Sequence, residues 1–76
     1  LKYEELVEHL DSGREIEFTY KGKGYSITNT QDGFSFCAKE EDSQDYPTYS
    51  ELLRSIRIDR MTLKDIWESV EIDQIY

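Results

Sequence analysis

The sequence is poor in the residues that build reactive or covalently stapled sites. It contains one cysteine, one proline, one methionine, one tryptophan and one histidine in 76 residues. A lone Cys37 excludes an internal disulfide, and with it a small secreted scaffold held by such bonds. A lone His9 leaves a histidine-based metal site without further ligands. No run approaches the roughly 18 apolar residues that cross a bilayer. Positive charge is scarce too: 9 Lys+Arg stand against 17 Asp+Glu, a formal net charge of −8. That balance opposes binding to phosphate backbones and anionic membrane surfaces, which need clustered cations. It favours a protein partner with a basic surface, at long range and low salt. Direct nucleic-acid binding, membrane binding, a metal and a cofactor are therefore not expected.

What the chain does have is aromatic and patterned. Six Tyr, three Phe and one Trp argue for a packed core, and the length suits one small domain. The start, Leu1-Lys2-Tyr3-Glu4-Glu5, lacks signal-peptide features and an initiator Met. This points to the cytoplasm and to a trimmed N-terminus.

Tyr3, Leu6, Val7 and Leu10 recur at helical spacing, and Asp11-Ser12-Gly13 supplies a helix end. The period then switches to two. Ile16, Phe18 and Tyr20 alternate with polar residues in a first strand, and Lys21-Gly22-Lys23-Gly24 reads as a hairpin turn. Tyr25 and Ile27 mark a second strand, Asn29 to Gly33 a second turn, and Phe34, Phe36 and Ala38 a third strand. Residues 40–47 read as a polar, acidic loop. A second helix, opening after Pro47 at Thr48 or Ser50, carries Tyr49, Leu52, Leu53 and Ile56. Thr62 and Asp65 resemble a capping box for a third helix with Leu63, Ile66, Trp67 and Val70 on one face. The expectation is an α+β fold in the order α-β-β-β-α-α: an N-terminal helix, a three-stranded antiparallel meander and two C-terminal helices. Residues 71–76 alternate partly and offer a short C-terminal strand as an addition.

No pattern specifies catalysis. His9 reads as a surface histidine, and Cys37 as a small hydrophobe without an oriented base. Lys21-Gly22-Lys23-Gly24 lacks phosphate-loop spacing and leads into a strand. Lys23-Gly24-Tyr25 starts like an RNA-recognition strand, but Glu15 and Glu17 on the neighbouring strand would repel RNA. Glu40-Glu41-Asp42-Ser43-Gln44-Asp45 is rich in carboxylates but lacks the EF-hand order. The chain is not expected to be an enzyme. Tyr46, an aromatic within that acidic loop, is a candidate interface anchor; folding back onto the domain explains it equally well.

Two segments carry a resemblance. Gly13-Arg14-Glu15-Ile16-Glu17-Phe18-Thr19-Tyr20-Lys21-Gly22-Lys23-Gly24-Tyr25-Ser26-Ile27-Thr28-Asn29 and Ile58-Asp59-Arg60-Met61-Thr62-Leu63-Lys64-Asp65-Ile66-Trp67 resemble small uncharacterised proteins of low-GC Gram-positive bacteria and their phages and mobile elements. The likeness covers most of the chain and is structural: a hairpin and a capped helix bearing Trp67. A Gly often precedes the last helix in such proteins, whereas Arg60-Met61 stands here. The resemblance brings no catalytic residue. It implies a mobile-element role such as counter-defence of the anti-CRISPR kind.

Three functions from different classes compete. The first is an acidic inhibitor or binding module that imitates nucleic-acid charge against a basic host protein. Its candidate residues are Glu4, Glu8 and Asp11, neighbours about 6 Å apart on a helix, with Glu40, Glu41, Asp42, Asp45 and Tyr46. Ordinary wet faces explain each stripe singly. The second is an adaptor or homodimer that binds through a sheet edge or an apolar face. The third, an enzyme or ligand-binding domain on the concave side of the sheet, needs a pocket of convergent polar groups.

Overall fold

The computed structural model describes residues Leu1–Tyr76 in full. Helix α1 (Tyr3–Asp11) leads into strands β1 (Ile16–Tyr20), β2 (Lys23–Thr30), β3 (Gly33–Ala38) and β4 (Gln44–Tyr46). Helix α2 (Tyr49–Ser55), helix α3 (Leu63–Ile66), a 3₁₀ turn (Trp67–Ser69) and strand β5 (Glu71–Ile75) follow. The α+β class holds, but the three-stranded meander does not. The sheet has five antiparallel strands in the order β4-β3-β2-β1-β5. Part of the expected acidic loop is β4, which pairs Tyr46 with Phe34 and Asp45 with Ser35. The chain closes with β5 beside β1. A three-residue strand carries too little periodicity to announce itself, so β4 hides among polar residues. The third helix is also shorter than its apolar spacing predicts. It is one α-turn that tightens to 3₁₀ at Trp67.

Local chemistry explains most boundaries. The Glu5 carboxylate accepts from the Lys2 backbone N–H at 3.1 Å at the start of α1. The helix ends in a Schellman motif: Arg14 N–H reaches His9 O, Gly13 N–H reaches Leu10 O, and Gly13 sits at φ +80°. Thr48 Oγ1 caps α2 by accepting from Glu51 N–H at 3.1 Å. Thr62 and Asp65 form a reciprocal capping box, with both bonds at 3.1 Å. Those bonds hold the Asp65 carboxyl below its ordinary pKa. Lys21 and Gly22, both at positive φ, make the two-residue β1–β2 turn.

The helices cover one face of the sheet. Ile16, Phe18, Ile27, Leu6, Leu10, Leu52 and Leu63 are fully buried there, each contributing about 1.5–3 kcal/mol by leaving water. A run of rings crosses the core. Trp67 meets Phe18 edge-on at 5.2 Å, Phe18 stacks on Tyr25 at 5.4 Å, and Tyr25 stacks on Phe36 at 5.6 Å. The pairing of β5 with β1 shifts register between Glu17 and Phe18, so Asp73 bulges out. Ile72 then lies opposite Phe18, and Ile75 opposite Ile16. Although three residues apart, both side chains pack against the core.

Two backbone positions can be tested. A Cβ on Gly33 would lie 2.2 Å from Tyr46 O and 2.8 Å from Pro47 O, where β4 turns into α2. Gly33→Ala is expected to lose about 3 kcal/mol in urea unfolding; an unchanged midpoint would show that the close approach does not exist. Ile58 and Met61 exchange both backbone hydrogen bonds at 2.9 Å around Asp59 and Arg60, whose φ values are 53° and 69°. Arg60 is exposed and makes no hydrogen bond or ion pair. Arg60→Gly should therefore raise stability by about 0.5–1 kcal/mol in the same assay, because glycine occupies left-handed backbone freely. A loss of stability would refute the strained turn.

Candidate functional site

The sheet face away from the helices is uncovered, and register decides what it presents. Opposed residues in antiparallel strands share a face. One row runs Gln74, Glu17, Ser26, Cys37, and another runs Thr28, Ser35, Asp45. A third pairs Glu71 with Thr19 and Thr19 with Gly24. The middle of the face is floored by glycine, serine, threonine and cysteine, and Ser35 is buried there. The small side chains leave an open groove of about 480 Å³ over Gly24, with Glu17, Thr19, Ser26, Cys37, Lys39 and Asp73 around it.

One side of this face is acidic. Asp73 Oδ2 accepts from the Thr19 hydroxyl at 2.7 Å, which fixes the bulged carboxylate toward the open face. Glu17 Oε1 accepts from the Tyr76 hydroxyl at 3.1 Å, and Tyr76 N–H bonds Glu15 O at 2.8 Å. Glu17, Glu71 and Asp73 are all exposed. The hydrogen bond to Glu17, aided by burial and by the charges of Glu17 and Glu15, raises the Tyr76 pKa. The carboxylates of β1 and β5 meet only through pairing of strands far apart in sequence, Thr19 and Asp73 being 54 residues apart. The sequence signal was slight: Glu15 and Glu17 alternate with Ile16 and Phe18, and Glu71 and Asp73 flank Ile72.

The acidic residues singled out in the sequence fall elsewhere. Glu4, Glu8 and Asp11 are exposed on α1, in the helical layer, and Asp11 Oδ1 accepts from the Tyr49 hydroxyl at 3.0 Å. Glu40 occupies the β3–β4 connection at φ +67°. Glu41 is ion-paired with Lys23, and Asp42 is exposed beside it. Asp45 lies on the open face at the β4 edge. Tyr46 is half-buried against the core, with its hydroxyl donating to Gln44 Oε1 at 3.0 Å. The structure does not gather these residues. Asp11 and Glu41 lie at opposite ends of eight-residue β2, beside Thr30 and Lys23 respectively. That is a span of about 23–26 Å.

The reactive side chains are likewise apart. Cys37 Sγ lies on the open face, 3.3 Å from the carbonyl oxygens of Ala38 and Glu41. His9 belongs to α1, across the sheet. No three His, Cys, Asp or Glu side chains are arranged to hold a metal ion. No helix is long and apolar enough to cross a membrane. Comparison with known protein families, curated proteins and solved structures finds no match to this chain.

The Tyr76 contact gives a pH-dependent readout. Its raised pKa makes the hydroxyl's contribution to stability complete below the ordinary tyrosine pKa, and that contribution is lost as pH rises through the folded-state value. Glu17→Gln should bring the Tyr76 titration back toward that of a free tyrosine, followed by phenolate absorbance against a Tyr76→Phe control. An unmoved titration would mean that Tyr76 does not rest on Glu17.

Proposed function

We propose that this chain is a non-enzymatic acidic interaction domain whose partner is a protein with a basic, nucleic-acid-binding surface. The observation that carries this reading is the uncovered sheet face, with Glu17, Glu71 and Asp73 along its β1–β5 side. The net charge of −8 adds long-range attraction to such a partner. Within this reading the biological role is inhibition by charge mimicry, of the kind used by mobile elements against host nucleic-acid-binding proteins, including anti-CRISPR action.

The adaptor or homodimer reading through a sheet edge has less support. One edge, β4, is three residues long, and the other, β5, is bulged at Asp73. Short and bulged edges are devices that discourage strand addition. The face is a better docking surface than either edge.

The test is retention of basic nucleic-acid-binding proteins from bacterial lysate, at low and high salt, with DNA as competitor. Reversing Glu17, Glu71 and Asp73 to Lys should weaken retention about tenfold or more, and DNA should displace what the unaltered domain holds. Retention that resists salt and ignores DNA would sink charge mimicry. If only reversal of Glu40, Glu41 and Asp42, which lie off that face in the β3–β4 connection, weakened retention, the sheet face would be the wrong site.

A further inference from the structure

The helical layer carries a second groove of opposite character. It runs between α1 and α2, has a volume of about 480 Å³, and is lined by Tyr3, Val7, Tyr49 and Leu53 with Arg54 and Lys64. Tyr3, Val7 and Tyr49 are only half-buried, although all three pack against the core. Burial raises the Tyr3 pKa, consistent with a ring lodged in an apolar crease.

Charge sets this groove apart. The chain carries 17 carboxylate side chains against 9 cationic ones, yet the lining of this groove includes two cations and no carboxylate. Lys64 is exposed and makes no ion pair, and Arg54 makes only a 3.9 Å contact to Glu51. An exposed i,i+3 pair of that length holds little energy. The guanidinium therefore remains available to another carboxylate at little cost.

We propose that this crease docks an amphipathic helix of a partner protein, with apolar anchors on one face and carboxylates flanking them. The walls are α1 and α2, of nine and seven residues, or about 10–14 Å each. An occupant with anchors at i, i+3, i+4 and i+7 would match that length. Its apolar side chains cover Tyr3, Val7 and Leu53, and its carboxylates meet Arg54 and Lys64. The domain's net negative charge opposes an acidic visitor only weakly once salt screens charges beyond about 8 Å. Inside that range Arg54 and Lys64 are the charges that line the crease itself, whereas Asp11 is engaged by the Tyr49 hydroxyl and Glu51 stands 3.9 Å from Arg54 at its margin.

The test uses two synthetic amphipathic helical peptides with the same Leu anchors, one carrying Glu and the other Lys at its polar positions. Each is titrated into the ¹⁵N-labelled domain at physiological salt. The Glu peptide should shift the amides of Val7, Ser50, Leu53, Arg54 and Lys64 saturably, and the Lys peptide should leave them in place. Combined Arg54→Glu and Lys64→Glu, both at exposed positions, should weaken the Glu peptide at least tenfold and admit the Lys peptide. Dispersed amide signals in that variant confirm that the fold survives. No shifts with the Glu peptide, equal binding of both peptides, or indifference to the double reversal would each overturn the proposal. Shifts at these amides that follow domain concentration without peptide would also overturn it, and would assign the groove to a second copy of the chain.

Discussion

The domain depends on the bulge at Asp73. A regular β5 would place Ile72 and Ile75 on opposite faces, because side chains alternate with a period of two. One extra residue returns Ile75 to the helix side, so that Ile72 meets Phe18 and Ile75 meets Ile16. Strand β1 thereby gains a neighbour on each side, and Phe18 becomes the hub for Trp67 and Tyr25. The same register sends Glu71, Asp73 and Gln74 to the outer face. Closure of the core and the acidity of the open sheet share one cause.

None of the three helices is long enough to persist alone, since isolated helices shorter than about 12 residues are marginal in water. Their caps and their burial against the sheet maintain them. This explains why the helical layer has both tight contacts and a crease. Leu6, Leu10 and Leu52 point into the sheet and are sealed, whereas Tyr3, Val7 and Tyr49 bridge the gap between short helices and stay half open. On the other side of the sheet no helix packs over the small residues, so the face keeps an open groove.

Much of this fold was legible where a clean period met strong punctuation. Helix α1 ends at Gly13 as its sequence implies, strands β1 to β3 follow their alternation, and Thr62 caps α3. What failed to show did so for physical reasons. Strand β4 is three residues of mostly polar character, and it runs against Gly33, whose missing side chain leaves room for Tyr46 O. The bulge in β5 breaks the alternation that would have announced it firmly. The last helix tightens at Trp67, where the ring turns edge-on to Phe18 and the chain must soon extend into β5. The candidate site was least legible of all. Glu4, Glu8, Asp11 and the 40–45 run stand out as contiguous or periodic charge. The grouping of Glu17 with Asp73 exists only after β1 and β5 pair.

Size then constrains how such a domain can act. The molecule exposes 5035 Å² in all, and its principal extents are 30 × 26 × 21 Å. A standard interface takes about 800 Å² from each partner, roughly a sixth of this surface. The broadest projection, 30 by 26 Å, is the only scale on which one contact of that size fits without wrapping around an edge. A two-layer fold presents its broad sides as the sheet face and the helical face. These sides differ in kind: carboxylates flank small polar residues on one, and cations rim an apolar crease on the other. Both sides are shallow, and neither encloses a ligand-sized cavity of convergent polar groups.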